Sequence, residues 1–364
     1  MNVLVLGNSG AGKSTLIEAI AGVKKDTRPG EGDTSKIEVS ESSIWPLRCI
    51  DTKGFEYSII EQMKTIRQVK KYTKTQIGQG DNDSSEKGID VVWYCVEGTA
   101  RRVFSHNVDM MNKAIKGWKN VPVFAVITKS FSQVEEEENI EAVVQAFAKN
   151  KSVNLQKIIP VVAKPYPVND DVIVQPRGIE ELCNATLECA DYAKQINKEN
   201  RDRMALEQKR FTANAMVTGA TASAVVVGAV PLSFADSILL VPLETSMTKA
   251  IFKIYGVEFS NDLVSAIVGS ALIANIAKAA LAQLKAIPNI AASVLNAVVA
   301  GLFVGALGEA VIAISENIYR GNLDPSKIDD IVNFISDKMK NNPIIGAAIS
   351  YLIANANMLK DKDV

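Results

Sequence analysis

Residues 3–22 read VLVLGNSGAGKSTLIEAIAG, and this stretch decides the fold of the N-terminal half. Val3–Leu6 is a short aliphatic run of the kind that forms a buried strand, and the residues after Ser14 carry apolar side chains at helical spacing. Between them, Gly7-Asn8-Ser9-Gly10-Ala11-Gly12-Lys13-Ser14 satisfies G-x-x-x-x-G-K-[ST] at every specified position, in the strand–loop–helix context that the pattern requires. The glycines let the backbone curl so that successive N–H groups face phosphate oxygens, and a helix N-terminus adds its partial positive charge. Lys13 supplies a mobile ammonium for the β and γ phosphates, and the Ser14 hydroxyl reaches Mg²⁺. The whole run Gly7–Thr15 is therefore read as a nucleotide-binding loop. A chance Gly-rich turn does not account for both flanks.

Working outward, short apolar runs alternate with polar stretches of helical period. Strands are expected at 3–6, 36–39, 44–50, 89–96, 121–127 and 158–162, with helices at 13–21, 58–72, 106–117, 135–149 and 178–200. Such alternation predicts βαβ units: an α/β P-loop NTPase with a mainly parallel sheet and helices on both faces. Ligands in these folds bind beyond the carboxyl ends of the strands. Motifs at those ends carry the most weight.

One such motif is the strand-like IWPLRCI followed by Asp51-Thr52-Lys53-Gly54, a D-x-x-G pattern. Asp51 is expected to bind Mg²⁺ through water, and the Gly54 N–H to sense the γ phosphate. The polar loop before it ends in Thr34-Ser35, where a switch hydroxyl closing on Mg²⁺ belongs. Thr34 is the first choice and Ser35 the second.

The order of these motifs resembles the Era-like and dynamin-like GTPases, including septins and immunity-related GTPases, over roughly residues 1–165. The resemblance implies a GTP-hydrolysing domain that binds GTP/GDP with Mg²⁺. It also implies base reading by an [NT]-K-x-D motif after the fifth strand and an S-A-K-like loop after the sixth. Here Thr128-Lys129-Ser130-Phe131 keeps the Thr and the Lys but has Phe131 for the Asp, and Ala163-Lys164 stands where the last loop is expected. The missing carboxylate removes the charge-assisted acceptor for the guanine N1–H and 2-amino hydrogens. GTP is still favoured over ATP, because both pairs lie at the expected strand ends. Phe55 follows Gly54 and offers no hydrogen bond to a catalytic water. Catalysis is therefore assigned to Lys13, Ser9 and Thr34. Lys53, Arg101 and Arg102 are further candidates, from this chain or from a partner chain in a G-domain homodimer. Slow intrinsic turnover is expected.

Other conspicuous residues have simpler readings. His106, the only histidine, is read as the polar start of a helix. Glu135–Glu138 reads as a solvated first turn behind a Ser132 capping box. Trp45, Trp93 and Trp118 read as core. The four cysteines, Cys49, Cys95, Cys183 and Cys189, lack metal spacing and read as reduced core thiols of a cytoplasmic protein. No basic segment precedes the apolar residues after Met1, so no secretory leader is expected.

The 364 residues suggest two domains. Forty basic residues stand against 41 acidic ones, which argues against a nucleic-acid partner. Residues 211–320, however, hold only 11 of the charged side chains. The expected division is a GTPase domain at 1–177, a charged linker helix at 178–210 and a hydrophobic all-α domain at 211–364. Pro231, Ala235-Asp236, Leu240, Pro242-Leu243 and Tyr255-Gly256-Val257 resemble a helical domain of unknown function that follows bacterial GTPase domains. Helices are expected at 264–283, 287–315 and 343–358. The uncharged stretch Ala286–Gly308 is long enough to span a bilayer and contains Gly301-x-x-x-Gly305, a close-packing pattern of membrane helices. Asp236 and Glu244 would be costly in lipid. The readings are a soluble bundle that meets membrane lipid conditionally, a stably inserted domain and a purely soluble scaffold, the first two with peripheral or integral membrane association accordingly.

Overall fold

The computed structural model describes residues 1–20, 24–25, 37–52, 67, 89–99, 108–109, 111, 121–149, 153–168, 173–189, 198–228, 240–269 and 292–342. Thr34, Ser35, Lys53, Gly54, Phe55, Arg101, Arg102, His106, Trp118 and Asp236 lie outside the described residues, as do the expected helix at 343–358 and, apart from Arg67, the one at 58–72. The chain divides into two compact units, Met1–Gln208 and Lys209–Val364.

The first unit is built on a seven-stranded sheet. Its strands are β1 (Asn2–Gly7), β2 (Lys24–Lys25), β3 (Ile37–Glu41), β4 (Arg48–Thr52), β5 (Val91–Glu97), β6 (Val123–Thr128) and β7 (Leu155–Pro160), in the spatial order β2-β3-β4-β1-β5-β6-β7. The strands β4, β1, β5, β6 and β7 run parallel, and β3 pairs antiparallel with both β4 and β2. A separate two-residue pair, β8 (Tyr166–Pro167) and β9 (Ile173–Val174), follows β7. The helices are α1 (Lys13–Ala19), α2 (Glu136–Ala148) and α3 (Ile179–Cys189).

Alternation along the strands sends side chains to two opposite layers. Val3, Val5, Trp93 and Phe124 pack with Leu16 and Ile17 of α1 and Leu182 and Leu187 of α3. Leu4, Leu6, Tyr94 and Ile127 pack with Val143 and Phe147 of α2. Helices therefore cover both faces of a mainly parallel sheet. The indole N–H of Trp93 is buried and donates to Thr186 Oγ1 at 2.9 Å, so this donor is satisfied inside the core.

Some boundaries differ from the expectation. The apolar residues Ile44, Trp45 and Leu47 are not in a strand: β4 starts at Arg48. Ser42 Oγ accepts the backbone N–H groups of Ile44 and Trp45, closing a turn that drops Trp45 into the core. Of the helix expected at 178–200, α3 and the start of α4 (Lys198–Gly228) lie among the described residues, and 190–197 lie outside them. Within the first unit, α4 contributes Met204, Ala205 and Gln208. Gln208 Oε1 accepts the Trp45 indole N–H at 3.0 Å, and its amide donates to Ala19 O at 2.9 Å. Cys49, Cys95 and Cys183 are buried, but Cys189 at the end of α3 is exposed, contrary to a core reading. Burial pushes the Cys49 and Cys95 thiols up to about 12.

The second unit is helical. The rest of α4 is followed by α5 (Val241–Tyr255), α6 (Asn261–Val268), α7 (Ala292–Tyr319) and α8 (Ile328–Lys340). Pro242 sits in the first turn of α5, where its missing N–H costs nothing. Helix α7 packs against α5 and α8, and α6 packs against the same two. The small residues of α7 meet α4: a Cβ at Gly301 would lie 2.6 Å from Val225 Cγ2, and one at Gly308 would lie 2.5 Å from Val217 Cγ2. The Gly-x-x-x-Gly seam is thus filled inside the unit.

Glu244, in the first turn of α5, is a buried residue, only 5% exposed. Burial raises its pKa to about 7. The folded protein therefore holds a proton that the unfolded chain releases above its ordinary pKa. Stability should fall as pH rises from about 4.5 to about 7. Glu244→Gln is expected to be nearly neutral at about pH 4 and to stabilise by on the order of 2–3 kcal/mol at about pH 8, measured by urea unfolding at both pH values.

Candidate nucleotide site

The parallel register brings the carboxyl ends of β1, β4, β5 and β6 to one edge: Val5 pairs with Asp51, Gly7 with Cys95, and Glu97 with Thr128. The loop Gly7–Ser14 leaves β1 at this edge and enters α1. Its conformation needs glycine. Gly7 has φ 149°, and a Cβ there would meet Cys95 O at 2.5 Å. Gly12 has φ 75° at the N-cap of α1, with Thr128 behind it. Ser9, Gly10 and Ser14 are exposed, and Thr15 is half-buried.

Lys13 is buried rather than extended into solvent. Its ammonium donates to Asn8 O at 2.9 Å and Gly7 O at 3.3 Å, so the loop's own carbonyls hold the cation that phosphate oxygens would take. Ser14 Oγ donates to Asp51 Oδ2 at 2.8 Å, joining residues 37 positions apart. A hydroxyl and a carboxylate oxygen are hard donors of the class Mg²⁺ takes, and these two reach a common point. Magnesium held there by Ser14 and Asp51 would offset charge on the β and γ phosphates. Thr34, the third expected ligand, and Gly54 lie outside the described residues.

Thr128 is buried at the end of β6, and its hydroxyl donates to Ala11 O at 2.7 Å, with Val96 O at 3.1 Å. It thereby ties the expected base-reading loop to the phosphate loop. Lys129 has φ 53°, and its ammonium bonds Glu97 Oε1 at 2.7 Å, an oxygen that also accepts from Thr99. Burial raises the pKa of Glu97, but the bonds from Lys129 and Thr99 outweigh it and hold the carboxyl below its ordinary value. Ala163 is half-buried beyond β7. Lys164 is exposed and paired with Glu18 of α1 at 2.8 Å, a contact worth at most about 1 kcal/mol.

Three features were not legible. Glu136 does not belong to a fully solvated acidic turn, because it accepts from Ser130 Oγ at 3.0 Å and Arg177 at 2.5 Å. Arg177 also donates to Ser130 O at 2.8 Å, clamping the 128–131 loop from behind. The Phe131 ring stacks on Tyr166, with centroids 3.8 Å apart and planes 8° from parallel. Tyr166 lies two residues after Lys164, which is the one sequence signal that places it near; Arg177 has none.

Lys13→Ala is expected to lower GTP affinity by at least ~100-fold, the scale of losing a charge-assisted phosphate contact, while costing about 1–2 kcal/mol of stability from the two carbonyl bonds. Calorimetric titration with GTP and Mg²⁺, beside a urea melt, checks both. Near-native GTP affinity in the variant would sink the phosphate-loop assignment.

Comparison with known proteins gives a family match in each part of the chain. Residues 2–129 match the family described as 50S ribosome-binding GTPase, and residues 192–341 match a domain of unknown function, DUF697. No curated protein matches the chain. Among solved structures, a bacterial selenocysteine-specific elongation factor EF-Sec aligns at 17% identity and TM-score 0.34, over 54% of this chain and 29% of that one. The elongation factor SelB of Methanococcus maripaludis with a GTP analogue aligns at 19% and 0.33, over 52% and 34%. The chain thus spans about a third of these two elongation factors. The G domain of the T. maritima FeoB iron transporter aligns at 16% and 0.32, over 52% of this chain and 98% of that one. The chain carries a P-loop G domain, of which residues 2–129 are similar to the family described as 50S ribosome-binding GTPase, followed by a helical region of which residues 192–341 are similar to DUF697.

Proposed function

We propose that the chain is a GTP-binding and GTP-hydrolysing switch whose nucleotide state governs its helical domain. The observation that carries this reading is the convergence of Lys13, Ser14 and Asp51 at one sheet edge, with Ser14 and Asp51 already in contact. The G-domain family supports GTP/GDP with Mg²⁺ as the ligand. In this reading the backbone N–H groups of the phosphate loop and the Lys13 ammonium hold the phosphates and offset charge as it develops. Thr128 fixes the loop through Ala11. Ser9, exposed at the loop's crown, faces the γ phosphate, and Thr34 closes from the segment before β3. The domains are 1–177, 178–210 and 211–364, and the linker residues 178–210 carry the change from one to the next.

The switch works slowly alone and completes its site by pairing G domains or by meeting lipid through the helical domain. Two helices, Lys198–Gly228 and Asn296–Tyr319, are long and apolar enough to cross a membrane by length and composition alone. Most of the second helix's apolar stretch is buried, as in a soluble bundle, whereas only 22% of the first one's is. That difference favours a cytoplasmic protein that meets membrane conditionally over one inserted through Asn296–Tyr319.

Specific GTP turnover is expected to rise with protein concentration over a ~100-fold range, or on adding liposomes, because a group supplied in trans raises such rates by about 10³–10⁵. Phosphate release at saturating GTP checks it. A flat profile with and without liposomes would rule out the paired-domain mechanism.

A further inference from the structure

We propose that the base is read by the Phe131–Tyr166 aromatic pair and not by a carboxylate, so that the site takes purine nucleoside triphosphates without discriminating on the 2-amino group. This rests on the nucleotide-binding reading above and names its ligand class more closely.

The geometry fixes what stands beside the base. Thr128 is docked on Ala11 of the phosphate loop, which sets the register of the residues after it. Lys129 turns the chain with its positive φ, Phe131 N–H closes onto Lys129 O at 2.8 Å, and Ser130 N–H reaches Val161 O at 3.3 Å. Phe131 therefore occupies the third position after Thr128, where a carboxylate would accept from guanine, and its ring lies flat against Tyr166 of the loop beyond β7. The stack welds together the two loops that flank the base, and Tyr166 remains 43% exposed.

The carboxylates bonded to residues of the 128–131 loop are already engaged. Glu97 is held by Lys129 and Thr99, and Glu136 by Ser130 and Arg177. Both hold the loop in shape. Guanine differs from hypoxanthine only in its 2-amino group, and a carboxylate that accepts N1–H and the 2-amino hydrogens together would prefer guanine strongly. Two aromatic rings offer stacking, which every purine satisfies alike. The single Tyr166 hydroxyl oxygen cannot reproduce a two-oxygen acceptor.

The test uses the full chain with Mg²⁺ and titrates GTP, inosine triphosphate and inorganic tripolyphosphate by calorimetry. GTP and inosine triphosphate are expected to bind within about threefold of each other, since stacking does not sense the 2-amino group. Phe131→Ala and Tyr166→Leu should each weaken both nucleotides by about tenfold while leaving tripolyphosphate binding unchanged. Tyr166→Leu keeps apolar bulk on an exposed two-residue strand, so it remains informative if Phe131→Ala unfolds. Phe131→Asp should create a preference for GTP over inosine triphosphate of about tenfold or more. A preference for GTP above about 30-fold in the unaltered chain, or ring variants with unchanged nucleotide affinity, would overturn the proposal. Tripolyphosphate separates the two readings: if the unaltered chain binds neither it nor any nucleotide, the phosphate loop itself fails. If it binds tripolyphosphate but the ring variants change nothing, only the aromatic reading does.

Discussion

A parallel sheet has one chemically useful edge, and the first unit depends on that constraint. Five parallel strands, β4, β1, β5, β6 and β7, deliver their carboxyl ends to the same side. Whatever residue follows each strand is thereby placed beside the others without further design. Gly7, Asp51, Glu97 and Thr128 come together because of strand register. The bonds between Ser14 and Asp51 and between Thr128 and Ala11 then lock loops that belong to distant parts of the sequence. Buried aliphatic layers on both faces hold the strands in that register. The apolar core and the polar edge are two results of one arrangement.

How much of this was legible follows from the range of each interaction. The phosphate loop was readable because its determinants are consecutive: strand, glycines, Lys13 and Ser14, helix. Ile44, Trp45 and Leu47 look like a strand, yet their apolarity serves a buried turn whose bonds come from Ser42, so β4 begins later than the pattern suggests. Helix α8 buries Ile331, Ile335 and Met339 at helical spacing, but the acidic and basic residues between them hide the stripe. The sequence showed that Phe131 replaces an acid. It did not show Tyr166 against it, because a stack between residues 35 positions apart leaves no local pattern. The Arg177–Glu136 clamp was invisible for the same reason.

The helical unit teaches the same lesson with the opposite sign. Its glycines invited a membrane reading, since close approach of helices is what small residues permit. In the structure that approach is spent internally, with Thr221 and Val225 of α4 filling the space over Gly301 and Gly305. Small-residue spacing reports that two helices meet closely. It does not report which solvent surrounds them.

The burial of three thiols and the exposure of the fourth give the chain a built-in attachment point. Cys49, Cys95 and Cys183 are shielded by the sheet layers, whereas Cys189 at the end of α3 is open to solvent. A thiol-selective dye should therefore modify the native protein at one position of the G-domain unit without any mutagenesis, at a modest rate because burial and Glu188 raise the Cys189 pKa. A fluorophore there would sit on the helix that covers the phosphate-loop face of the sheet, and would turn the unaltered protein into its own optical reporter.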